Sequence, residues 1–252
     1  MKEQDEKASN PVFRNKELSK SSATPVTKTG VVMKTLIMLA MVTLVAVISG
    51  SMMSQKMTNG ELGNIWILFI VAIVATLAVA IMIAIKPKLA KPLSFIYAIA
   101  EGFLLGTISV ASTKIDGGAV VPTALFITLA VVVATNILYT TGIIKVNQKF
   151  VSIVYMMTFG AFIFYMFLLV GSLLGMNTSF MFDGSPLAIL ISVVMLFIAS
   201  LNLFTDYYEV DTFIENGADS QYEWYLAFGL TVTIVWVYIE ALRLVRNLTG
   251  NN

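Results

Sequence analysis

Three acidic side chains stand in runs where acids are costly. Glu240 lies in Trp236-Val-Tyr-Ile-Glu240-Ala-Leu242, Glu101 in Tyr97-Ala-Ile-Ala-Glu101-Gly-Phe-Leu-Leu-Gly106, and Asp206 at the end of an apolar stretch, in Leu201-Asn-Leu-Phe-Thr-Asp206-Tyr-Tyr208. The other acids, out of 15 in all, read as parts of the N-terminal tail or of connections. A charge at the centre of a spanning helix costs about 3 kcal/mol on insertion scales, so such a residue faces a polar interior, finds a partner or titrates. The chemistry open to this trio is proton exchange and coordination of a hard cation through oxygen.

With no His and no Cys in the chain, disulfides, imidazole or thiolate metal sites and His- or Cys-based nucleophile relays are excluded. An intramembrane aspartyl protease would need two matched acids with recognisable flanking motifs, which are absent, so no enzyme is expected. Neither a bound metal nor a cofactor is expected. The 14 methionines, Met33, Met38 and Met41 among them, read as flexible apolar filler.

Polar residues nearby extend the pattern. Asn202 precedes Asp206 by four and shares its helical face, so that face is polar over a full turn and suits a lined cavity. Asn136 and Thr135, Tyr165 and Tyr238 are further candidates to hydrogen-bond into the same interior. Gly102 and Gly106 form a small-xxx-small face that lets a second helix approach closely beside Glu101. Glu240 also has Arg243 and Arg246 within two turns, and a residue three positions on touches it on a helix.

The elements that must position these residues are spanning helices. The chain is 58% hydrophobic and 12% charged over 252 residues, far from the balance of a soluble domain. Apolar runs fall at 31–51, 65–85, 93–111, 120–140, 151–174, 187–206 and 225–244, each close to the roughly 20 residues a helix needs to cross a bilayer. The expected fold class is an all-α membrane protein, a seven-transmembrane-helix bundle over residues 31–248. Residues 1–30, polar and of mixed charge, read as a disordered cytoplasmic tail.

Lys and Arg concentrate on the tail side, with six in residues 1–30 followed by Lys86, Lys88, Lys91, Lys145 and Lys149, against Lys56, Lys114, Arg243 and Arg246 on the other. This predicts an N-terminus in the cytoplasm and a C-terminus outside. The connection between spans six and seven is then cytoplasmic and acidic, holding Glu209, Asp211, Glu215, Asp219 and Glu223. A net charge of +1 without a dense basic patch argues against a nucleic-acid partner. The lipid bilayer is the expected surrounding.

Glu101-Gly-Phe-Leu-Leu-Gly106, the Asp206 segment, and Val237-Tyr-Ile-Glu240-Ala-Leu242 with Arg246 following together resemble the Bax inhibitor-1 (transmembrane Bax inhibitor motif) family. Tyr222-Glu-Trp-Tyr-Leu-Ala-Phe-Gly229 is similar to its bacterial branch, which implies a bacterial plasma membrane. The resemblance implies a bundle with the last helix central and a pH-sensitive calcium leak, calcium being the permeating ion and protons the signal. It implies a pH sensor made of acids on spans six and seven, which by position are Asp206 and Glu240. Two carboxyls sharing one low-dielectric site cannot both ionise cheaply, so such a pair titrates as a unit. Glu101, Asn202 and Asn136 would line the interior path.

The family's closed state is associated with a basic residue of span two holding the span-six acid, a latch for which Lys86 and Lys88 are the candidates here. The apolar limits place Asp206 near the cytoplasmic end of span six but Glu240 about 22 Å along span seven. Two contacts therefore compete with Asp206 for Glu240, namely Glu101 and the C-terminal arginines, and Asp211 is a rival for the sensor position. The alternative function is a non-transporting regulator that binds another membrane protein, such as a membrane protease or stress-response component.

Overall fold

A computed structural model describes residues 24–59, 65–116 and 119–249. Seven long helices account for nearly all of them: α1 (Lys28–Asn59), α2 (Ile65–Ile85), α3 (Ala90–Asp116), α4 (Val120–Thr140), α5 (Gln148–Leu173), α6 (Pro186–Glu215) and α7 (Glu223–Thr249). All seven are long and apolar enough to cross a membrane. In hydrocarbon every backbone donor and acceptor must be satisfied within the segment, and a helix does this from local sequence alone. That is why the apolar runs and the helices coincide so closely.

The limits follow local signals. Ser185 caps α6 by accepting from the Ala188 amide, with Pro186 at the first helical position where its missing N–H costs nothing. Asn147 caps α5 through the Phe150 amide. At the far end of α6, Gly217 adopts φ +62°, while the Ala218 amide donates to Phe213 O and the Gly217 amide to Ile214 O. This two-bond termination needs a residue in the left-handed region, which glycine enters without a Cβ penalty.

α7 is the most buried of the seven and packs against α1, α3, α4 and α6, so the last helix is central. Its buried residues occur on every side, from Leu226 and Thr231 to Val237, Glu240 and Val245. α1 and α3 approach closely where Gly102 and Gly106 lie. A Cβ on Gly102 would stand 2.7 Å from Val42 O, and one on Gly106 2.9 Å from Gly50 N, so these glycines serve helix contact. Outward faces of α2, α4 and α5 carry Ile, Leu, Val and Phe in the open, as lipid-facing surfaces do.

Two expectations change here. α6 does not stop at Asp206 but runs on to Glu215, so Glu209, Asp211 and Glu215 are helical rather than members of a connection. The run Tyr-Tyr-Glu-Val-Asp-Thr-Phe-Ile-Glu reads as polar to a hydropathy window, yet its apolar members Val210 and Phe213 are buried and keep the helix against α7. Residues 24–30 are likewise ordered, with Lys28 already in α1. The tail residues 1–23 and the Trp66 side chain lie outside the described residues.

Candidate functional site: acids around the central helix

Asp206 and Glu209 share a small cavity of about 120 Å³ between α6, α7 and the end of α2. Its walls are Ala84, Tyr225, Leu226, Phe228 and Gly229. The two acids are three apart on α6 and so project from one face. Glu209 is near enough to act electrostatically on Asp206, and the Thr233 side chain is within hydrogen-bonding reach of the Asp206 carboxyl. That hydroxyl is shared with Gly229 O at 3.2 Å, and one proton can serve only one acceptor at a time. Asp206 Oδ2 is buried without a hydrogen-bond partner. A buried oxygen in that condition is costly unless a proton, water or cation meets it.

Glu101 is buried on α3, and Tyr97, one turn before it, offers its phenol. The Tyr97 ring meets Phe228 edge to face at 4.9 Å between centroids, and further along, Ser109 Oγ and Tyr238 Oη are 2.8 Å apart. These two contacts bracket Glu101 and set it level with positions 231 to 232 of α7, close to the level at which Asp206 meets Thr233. Glu101 and Asp206 thus lie at similar depth along the central helix.

Glu240 belongs elsewhere. It is 1% exposed and fully engaged: Tyr165 Oη donates to Oε1 at 2.7 Å, Trp236 Nε1 to Oε1 at 2.9 Å and Arg243 Nη1 to Oε2 at 3.0 Å. Arg243 also donates to Tyr165 Oη and stacks over the Tyr165 ring at 5.0 Å and the Phe182 ring at 5.8 Å. A carboxylate with three donors and one cation is a finished structural unit.

The expected pairing of Asp206 with Glu240 is therefore corrected. From Thr233 to Glu240 is seven residues, about 10 Å along α7. Of the competing contacts, Arg243 holds Glu240. Asp211, the rival sensor position, is paired with Lys28 Nζ at 2.7 Å and accepts from Tyr139 Oη at 2.8 Å, away from the cavity. The latch is corrected as well. Thr233 and Glu209 are the groups acting on Asp206, with no lysine among them, and α2 contributes Ala84 to the cavity while Lys86 and Lys88 are exposed.

Asn202 is buried, but its amide is used up between α5 and α6, donating to Thr158 Oγ1 at 2.8 Å and Ile198 O at 2.9 Å. Asn136 is exposed on the outer side of α4, while its neighbour Thr135 is buried and bonds its own helix. Neither asparagine lines the cavity.

Glu209 was not among the expected site residues. Its spacing of three from Asp206 was the available signal, masked by the assumption that the helix had ended. Lys34 and Glu223 were also missed. They form an ion pair between α1 and the start of α7, and a lysine three residues into an apolar run was the clue.

Among the described residues no group of three or more acids gathers into a metal-holding cluster. Two carboxylates beside a small cavity can exchange a proton or offer oxygen ligands to a hard cation. A family model described as Bax inhibitor 1 like matches residues 10–250. No curated protein and no solved structure matches the chain.

Proposed function

Since this chain belongs to the Bax inhibitor-1 family, we propose that it conducts a pH-sensitive leak of cations, calcium foremost, across a bacterial plasma membrane. The N-terminus is cytoplasmic in this reading, and the protein uses no cofactor and catalyses no reaction. One observation carries it: the buried, unpartnered Oδ2 of Asp206 beside Glu209 in a cavity of about 120 Å³. That space equals roughly four water volumes, enough for a partly hydrated cation whose remaining ligands are carboxylate oxygens.

The pH sensor in this reading is Asp206 with Glu209. A proton on the pair lets the two carboxyls lie close together in a poorly solvated site, and its loss places like charges at short range. The repulsion drives the two side chains apart and draws water into the space between α6 and the start of α7, which favours the open form. Glu101, at similar depth on α3, is the next polar station in this reading, followed by Ser109 and Tyr238. Glu240 with Tyr165, Trp236 and Arg243 closes the opposite end as a fixed anchor.

The test is calcium flux into liposomes containing the protein and an entrapped dye, measured from pH 6 to 8. The expected outcome is a pH-dependent flux that loses its pH dependence in Asp206→Asn and in Glu209→Gln. Flux absent at every pH, or a profile unchanged in the double variant, refutes the leak. Absent flux together with a stoichiometric membrane-protein partner on copurification would favour the non-transporting regulator.

A further inference from the structure

The segment before α1 does more than lead into it. Thr24 O accepts from the Ser220 amide at 2.9 Å and the Val26 amide donates to Ala218 O at 2.9 Å, forming an antiparallel bridge between Pro25 and Asp219. Val26 and Val31 insert into a cluster with Phe213, Tyr222, Leu226 and Leu230. The bridge is fastened by Glu223, the first residue of α7, which is 5% exposed. Its Oε1 accepts from the Thr27 amide at 2.9 Å and from Thr27 Oγ1 at 3.0 Å, and its Oε2 is paired with Lys34. Gly30 lies so close that a Cβ there would occupy the space of the Glu223 carboxyl.

The other side of the same α7 turn faces the acidic cavity. Leu226, held by Val26 and Val31, is also a cavity wall, as is Tyr225. Gly217, with φ +62°, forms the joint just before the bridged residues. One short segment thus fixes the wall of a cavity to which it contributes no lining residue.

We propose that residues 24–34 are a strap that holds the first turns of α7 in place beside the Asp206–Glu209 cavity, and that its release widens the cavity's access to water. The fastening suits reversible release. It includes one bridge, one buried carboxyl with three donors, the apolar contacts of Val26 and Val31, and the pair of Lys28 with Asp211, whose side chains are 66% and 27% exposed. Thr24 and Thr27 are themselves exposed, so water can replace their bonds. Local opening of such a segment exchanges its exposed bonds for water and withdraws Val26 and Val31 from their cluster, while the rest of the fold stays intact. Control of access to the cavity does not depend on what passes through it. The strap's effect on flux does rest on the leak reading.

The chain has no cysteine, and a Cβ at Gly229, inside the cavity, meets nothing within 4 Å. Gly229→Cys is therefore a reporter that fits without displacing a neighbour, read by its rate of modification with a water-soluble thiol reagent on the full chain in proteoliposomes. Thr27→Val removes one donor to Glu223, and Gly30→Ala displaces the Glu223 carboxyl. Each should speed modification roughly ten- to hundredfold, the factor one hydrogen bond to a charged group commands in an opening equilibrium. Thr27→Ser, which keeps the hydroxyl, should retain the parent's rate. Ala199→Cys, fully buried on α6, serves as a control and should stay slow in every background. Equal rates in Thr27→Val, Gly30→Ala and the parent overturn the strap, and so does acceleration at position 199, which signals global opening. Faster modification at position 229 with no flux at any pH upholds the strap and removes the leak.

Discussion

Replacing Arg243 by Met should be the most damaging single change near Glu240, and the remedy should be a second substitution. In the native protein the Glu240 carboxylate is 1% exposed and the Arg243 side chain 12%. Removing the guanidinium leaves the carboxylate with only Tyr165 and Trp236 as donors. Breaking a buried pair from one side costs about 3–5 kcal/mol, because the surviving charge is uncompensated. For a chain of this size, about 2–4 °C of melting temperature per kcal/mol gives a fall of roughly 6–20 °C.

Glu240→Gln in the same chain removes that charge. The Gln carbonyl can still accept from Tyr165 Oη and Trp236 Nε1, which both address Oε1. The double variant should therefore be more stable than Arg243→Met alone, with a coupling of roughly 2 kcal/mol. Thermal unfolding in detergent, followed by tryptophan fluorescence, measures all four corners of the cycle. Strictly additive losses, or an Arg243→Met protein as stable as the parent, would refute the view of Glu240 as an anchored ion pair. In flux measurements Glu240→Gln should keep the parent's pH profile, because the anchor is not the sensor.

Two further outcomes follow from other parts of the fold. Gly102→Val drives a branched side chain into Val42 O and Val45 of α1, and should cost about 1–3 kcal/mol or prevent folding, checked by melting temperature and by yield of monodisperse protein. Asp183, in the connection before α6, accepts from the Ser185 amide at 2.9 Å, and hydrogen bonding from the Ser185 side chain, then its backbone, lowers its pKa. A lowered pKa contributes stability that is present above the unfolded value, near about 4, and is lost as pH falls through the folded value. The protection of residues 183–188 against hydrogen exchange, taken relative to the intrinsic rate at each pH, should fall below about pH 4 in the parent. In Asp183→Ala that protection should be low and independent of pH.

Much of the fold was legible in the chain, and for a physical reason. A bilayer imposes length, apolarity and internal hydrogen bonding on each span separately, so all seven helices could be read from local composition. Glu101 as a buried acid and Gly102 and Gly106 as a contact face were legible on the same basis. The end of α6 was not. Its last turns are amphipathic, with Val210 and Phe213 held against the start of α7 and the strap, and that support is invisible to a window average. One misplaced helix end carried Glu209, Asp211 and Glu215 into a connection and hid the partner of Asp206.

The sequence by itself determined the class of protein, the number of spans and the short list of acids that have to be explained, because the apolar run around an acid is enough to show that its charge needs compensation. Which acid meets which group was decided only by tertiary structure. Depth along two antiparallel helices depends on where both begin, and nine extra residues of α6 set Asp206 against Thr233. Glu240, seven residues further on, was left to Arg243, Tyr165 and Trp236. The attachment of residues 24–34 to the start of α7 was likewise settled in three dimensions, since it joins segments almost two hundred residues apart through one buried carboxylate.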